Sequence, residues 1–200
     1  WQKYFNTDTS WSTQDYLQEK FPAVIRDENL FINGSVSPNA ALKVAIDKLT
    51  SGQTLRKGEV VIAFNANAEA ANLFHAERKS EGNSIVEYGG DILRLRQCWD
   101  IFSKNEQAIA EDFQLITAGR KSQQISSSNK TINPENIFLE VGAKVECAML
   151  NASTGFIYLD KDSEVMEGAM VRGSFSLGQH SQLKMGAKIY GATTIGPHCK

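Results

Sequence analysis

The aliphatic residues of the last third of the chain recur every six positions, and this restricts the fold more than any other feature. Val141, Cys147, Ser153, Leu159, Val165, Val171, Leu177, Leu183, Ile189 and Ile195 lie on one six-residue lattice, and eight of the ten are aliphatic. From residue 159 to 200 there are seven Ile, Leu or Val residues, and all seven share the lattice phase. Random placement gives that with odds of about 2 in 100,000 for a period fixed in advance. Small side chains follow most lattice points by four residues: Ser163, Ala169, Ser181, Ala187, Thr193 and Cys199. A period of 18 is layered on the first, in Gly155/Gly173/Gly191, Gly168/Gly186, Gly178/Gly196 and His180/His198.

A hexad is long enough for a short strand and a corner. Three of them close a triangular coil with the lattice side chains inside and glycines at corners. Stacked coils pair as parallel strands about 4.8 Å apart, each burying the apolar stripe of the one before. Ten hexads make about three coils. A sandwich of short strands would instead show period-two alternation with irregular turns. The expectation for 132–200 is therefore a parallel β-helix.

Residues 1–118 read differently, as an incomplete α/β domain of alternating strand-like and helical runs. Leu30-Phe31-Ile32 leads into a turn at Asn33-Gly34. Ser37-Pro38 offers an N-cap and first-turn proline to a helix carrying Ala41, Leu42, Ala45, Ile46 and Leu49, ending near Ser51-Gly52. Val60–Phe64 has the continuous apolar character of a strand in a parallel sheet, and a helix follows from Ala68 to Phe74. The runs 84–88 and 92–95 flank Gly89-Gly90 as a hairpin would. Ser103 and Glu106 have capping-box spacing ahead of the stripe Ile109, Phe113, Ile116. The polar stretch 119–131 reads as a linker.

Charge excludes some partners. Before residue 131 there are 15 basic and 16 acidic residues, and after it 6 and 7, so neither part offers the basic surface that nucleic acid or anionic lipid requires. Cys98, Cys147 and Cys199 are far apart with no C-x-x-C spacing, which fits reduced thiols in a cytoplasmic protein. No apolar run reaches the 18 or so residues of a membrane span. The start at Trp1 and the end within the lattice suggest an internal piece of a longer chain.

The lattice resembles the left-handed parallel β-helix of hexapeptide-repeat transferases, and the handedness comes from that resemblance. Together with Asn33-Gly34-Ser35, Trp99-Asp100-Ile101-Phe102-Ser103-Lys104-Asn105, Gly119-Arg120-Lys121-Ser122 and the run from Ile137-Phe138-Leu139-Glu140 to Gly196-Pro197-His198, the chain resembles a bacterial bifunctional type. That type combines N-acetylglucosamine-1-phosphate uridylyltransferase with glucosamine-1-phosphate N-acetyltransferase; the likeness is nearest to its divergent Bacteroidetes branch. The resemblance implies an α/β nucleotidyltransferase-like domain followed by the β-helix. It also implies sugar 1-phosphate and nucleoside triphosphate as ligands, Mg²⁺ across the phosphates, acetyl-CoA as acyl donor, and a homotrimer through the β-helix. The family's glycine-rich nucleotide loop has no counterpart in residues 1–130, and its acetyltransferase histidine belongs to a Gly-His pair beyond Lys200. Catalytic residues are thus unassigned, and the segment alone is expected to be inactive in both reactions.

Each candidate has a plainer alternative. Asn33 and Gly34 are a uracil or sugar contact, or a tight turn. Asp100 is a Mg²⁺ ligand, or a helix-entry carboxylate favoured by the dipole; Lys104 stands beside it at an edge where α/β sheets bind ligands. Arg120 and Lys121 reach a phosphate, or end a helix. Arg172 and Lys184, one residue past lattice points, are fixed cations for a sugar phosphate, or solvated corners. His180 and His198 should project from one corner about 5 Å apart; a zinc role would need a third ligand. Two other functions stay open: a non-catalytic trimerisation scaffold with a degenerate nucleotidyltransferase-like domain, and acyl transfer to another acceptor.

Overall fold

The computed structural model describes residues 1–77 and 84–200, and the chain divides into two compact units, 1–95 and 96–200. The first contains α1 (Gln2–Phe5), α2 (Asp15–Gln18), β1 (Glu28–Ile32), α3 (Ala40–Asp47), β2 (Gln53–Lys57), β3 (Val60–Asn67), α4 (Ala68–Glu77) and β4 (Ser84–Glu87). Its sheet has the order β1-β3-β2-β4. One face packs Leu55, Ile62 and Ala63 against Leu42 and Ile46 of α3; the other packs Phe31 and Phe64 against Phe74 of α4.

Three local expectations change. The 60–64 run is not a parallel strand, because β3 is antiparallel to both β1 and β2; it reads as continuously apolar because a register shift at Leu55/Arg56 lets both Ile62 and Ala63 join one core. The N-cap of α3 is Asn39 rather than Ser37: Asn39 is extended, and its Oδ1 accepts the Leu42 amide at 2.8 Å. No hairpin forms about Gly89-Gly90. β4 pairs parallel with β2, and Arg94 instead bridges to Val36.

The second unit begins with α5 (Asp100–Ser103) and α6 (Asn105–Thr117). It continues with β5 (Lys130–Ile132), β6 (Ile137–Leu139), β7 (Lys144–Val145), β8 (Met149–Asn151), β9 (Ile157–Leu159), β10 (Glu164–Val165), β11 (Met170–Arg172), β12 (Phe175–Leu177), β13 (Gln182–Leu183), β14 (Lys188–Tyr190) and β15 (Thr193–Ile195). These strands build three parallel sheets, β7-β10-β13, β5-β8-β11-β14 and β6-β9-β12-β15. This is the expected parallel β-helix of about three coils.

From Leu159 onward the lattice holds. Leu159, Val165, Val171, Leu177 and Leu183 are buried, and Leu159, Leu177 and Ile195 stand in one register column. Upstream it fails: Val141 is 67% exposed, and Cys147 and Ser153 are also outside the core. The inward positions there are Leu139, Val145 and Leu150, which pair with Leu159, Val165 and Val171. The spacing along the chain is 20 or 21 residues rather than 18, because extra residues lie between Leu150 and Ile157. A frame shift of two residues leaves the strands aligned but moves the six-residue phase.

The Ser103–Glu106 capping box does not form either. Ser103 ends α5 and Lys104 occupies the N-cap of α6 without a side-chain cap. α6 lies along the β6-β9-β12-β15 sheet. At its start Asn105 Oδ1 accepts from the Thr194 hydroxyl at 2.8 Å, and further along Phe113 stacks on Phe156 at 4.3 Å and joins Phe138 and Tyr158. Thirteen residues span about 20 Å, enough to cross four strands about 4.8 Å apart.

Candidate functional site

In the first unit Asn33 closes the turn after β1. Its Nδ2 donates to the Val61 carbonyl at 2.8 Å, and its Oδ1 accepts from the amide and hydroxyl of Ser35 at 3.0 and 2.8 Å. The side-chain oxygen is engaged within the turn and the side-chain nitrogen with β3. A Cβ on Gly34 would meet nothing, so space does not demand glycine there. Asn33 and Gly34 belong to a different unit from the other candidates.

In the second unit Asp100 and Lys104 come together one helical turn apart, Oδ2 to Nζ at 3.5 Å. The same Oδ2 accepts the backbone amides of Arg96 and Gln97 at 2.6 and 3.1 Å. These amides, followed by the lysine, hold the Asp100 carboxyl below its ordinary range. The carboxylate thus closes the 96–100 turn. Among the described residues no group of three His, Cys, Asp or Glu is arranged to hold a metal, and Mg²⁺ is ordinarily held by one or two carboxylates together with phosphates and waters.

Arg120 is a closed pair rather than an open cation. Its Nη1 donates to Glu140 Oε1 at 2.7 Å and to the Ile116 carbonyl at 2.9 Å, and its Nη2 donates to Glu140 Oε2 at 2.5 Å. Its guanidinium lies 5.2 Å from the Phe138 ring centre. The Glu140 hydrogen bond raises the Arg120 pKa further, and the Tyr158 hydroxyl donates to Glu140 Oε1 at 2.7 Å. Burial, then that hydrogen bond, push the Tyr158 phenol far above its ordinary range. Neighbouring Lys121 is exposed.

Arg172 and Lys184 do face outward, as their lattice offset predicts, but Arg172 ends β11 and Lys184 follows β13 of a different sheet. Arg172 sits 6.0 Å from the ring centre of Tyr190, and Lys184 Nζ donates to Gln182 Oε1 at 2.7 Å. His180 and His198 stand with ring centres 5.1 Å apart, as the 18-residue spacing predicts.

Glu140 and Tyr158 escaped the sequence reading. Their signal was there: Ile137-Phe138-Leu139-Glu140 and Ile157-Tyr158-Leu159-Asp160 repeat the order aliphatic, aromatic, aliphatic, acid at a distance of 20. An aromatic between two inward aliphatics points off the sheet, and two stacked aromatics require a cover. That cover is α6.

The model of the sugar nucleotidyl transferase family matches residues 1–121. No curated protein and no solved structure matches the chain. The family match spans the first unit together with α5 and α6, and ends where Arg120 is anchored to the β-helix. Over more than half of its length, therefore, this chain belongs to the sugar nucleotidyl transferase family.

Proposed function

We propose that this chain is part of an enzyme that transfers a nucleotidyl group from a nucleoside triphosphate to a sugar 1-phosphate, with the β-helix serving acetyl-CoA-dependent N-acetylation of the amino sugar phosphate. The observation that carries the reading is the family match over residues 1–121 in a chain that continues as a hexapeptide-repeat β-helix. The specific uridylyltransferase and acetyltransferase type and the homotrimer rest on the resemblance, and the cytoplasmic location rests on the reading of Cys98, Cys147 and Cys199 as reduced thiols. No helix among the described residues is long and apolar enough to cross a membrane.

In this reading the sugar phosphate oxygen attacks the α-phosphorus of the nucleotide and pyrophosphate leaves. Mg²⁺ would enter with the phosphates, and Asp100 is the carboxylate proposed to meet it. Lys121, Arg172 and Lys184 are the exposed cations proposed for phosphate contact. Arg120 instead positions α6 on the β-helix.

The test is a pair of assays on a longer polypeptide carrying this segment, with the 200-residue chain as control. Pyrophosphate release from nucleoside triphosphate and sugar 1-phosphate reads the first activity. CoA release from acetyl-CoA and glucosamine 1-phosphate reads the second. Release by the longer polypeptide supports the proposal; silence in both assays favours the scaffold.

A further inference from the structure

The corner that follows β9, β12 and β15 carries Asp162, His180 and His198. Leu159, Leu177 and Ile195 are in register, so the residues three positions on form a column through successive coils. All three have left-handed backbone, with φ of 53°, 57° and 59°, and Gly142 holds the equivalent place one coil earlier with φ 82°. The shared conformation starts the three side chains in the same direction. Asp162, His180 and His198 are each 18 residues apart, and only the two like residues stand out in the sequence.

The geometry suits a two-histidine chelate in its ring spacing and in the carboxylate beside it. Two imidazoles on one tetrahedral ion, with metal–nitrogen bonds of 2.0–2.1 Å, place their ring centres about 5.2 Å apart. Those of His180 and His198 are 5.1 Å apart. The Gln179 side-chain nitrogen lies 3.1 Å from His180 Nε2 and, being a donor, marks Nε2 as the lone-pair nitrogen. The other nitrogen, Nδ1, faces Asp162 Oδ2 at 3.9 Å. An entering ion would displace the Gln179 donor from Nε2, and a carboxylate on the far ring nitrogen is the partner that orients metal-bound histidines. The column is exposed.

We propose that His180 and His198 chelate a divalent ion of the Zn²⁺ or Ni²⁺ class, with Asp162 orienting His180, and that the ion clamps the coil ending at His198 onto the one beneath it. Two imidazoles suit ions of this class, with water completing the shell.

Isothermal titration of the intact chain with Ni²⁺, an imidazole-preferring probe, tests the site. The expected result is one ion per chain. His180→Asn and His198→Asn should each weaken binding at least about tenfold, and Asp162→Asn about tenfold. Asparagine tolerates the left-handed backbone, so these variants keep the corner. Bound Ni²⁺ should also slow amide exchange over residues 193–199. The proposal is overturned if wild type shows no saturable binding, if the His180→Asn/His198→Asn double variant gives the wild-type isotherm, or if Cys199→Ser alone abolishes binding.

Discussion

Arg120 and Glu140 form a bidentate ion pair, with both guanidinium nitrogens on both carboxylate oxygens at 2.7 and 2.5 Å, and the pair fastens the end of α6 to the first coil of the β-helix. Glu140 is 8% exposed, so its charge relies on Arg120 and Tyr158. Removing Arg120 takes the charged partner from a buried carboxylate. Arg120→Met should lower unfolding stability by about 1–3 kcal/mol, discounted because the arginine is half exposed. An Arg120→Met/Glu140→Leu double variant should recover much of that. Urea midpoints of the three proteins check it, and equal losses in single and double variants would contradict the pairing.

Tyr158 predicts an alkaline limb. Its folded pKa is raised, so the folded state holds the phenolic proton more tightly than the unfolded chain, whose tyrosines titrate near 10. The stabilisation is complete below about pH 10 and falls as pH rises beyond it. Unfolding midpoints between about pH 9 and 11 should fall more steeply in wild type than in Tyr158→Phe.

Asp100 predicts the opposite limb. Its folded pKa is depressed by the amides of Arg96 and Gln97, so its contribution is present above the unfolded value near 3.9 and lost as pH falls through the lower folded value. Asp100→Asn should flatten the acid limb of the 96–200 unit, measured by circular dichroism against pH. An unchanged acid limb would show that the turn does not depend on the carboxylate.

The shifted lattice frame predicts unequal truncations. Leu139→Ala should cost about 2–5 kcal/mol, because Leu139 is buried in the first coil. Val141→Ala, at a lattice position that the structure leaves exposed, should change stability by no more than about 0.5 kcal/mol. Equal costs would restore the unbroken lattice.

Gly178 lies under the last coil. A Cβ there would meet the Gly196 carbonyl carbon and the Pro197 nitrogen at 2.6 Å, both backbone atoms that cannot swing aside. Gly178→Ala should lift the chain after Ile195 and cost about 1–3 kcal/mol. Faster proteolysis confined to residues beyond 193 would show it.

The β-helix was legible because each coil repeats its demand for an inward aliphatic, and seven such demands in one phase leave few alternatives. Its first coil was less so, since extra residues before Ile157 change the phase without changing the pairing. In the first unit the short apolar run at 60–64 could not reveal the direction of its neighbours; that depends on which strands reach it through the fold. The candidate residues illustrate the same limit. The offset of Arg172 and Lys184 from the lattice implied outward placement, whereas nothing local to Arg120 shows that Glu140, 20 residues on, will hold it.

The most direct measurement of the central claim is pyrophosphate release from nucleoside triphosphate and sugar 1-phosphate by a longer polypeptide carrying this segment. The account predicts release that requires both substrates and is lost when residues 1–121 are deleted from that polypeptide. No release with any nucleoside triphosphate and sugar 1-phosphate pair, from a protein whose unfolding transition shows both units folded, would contradict it.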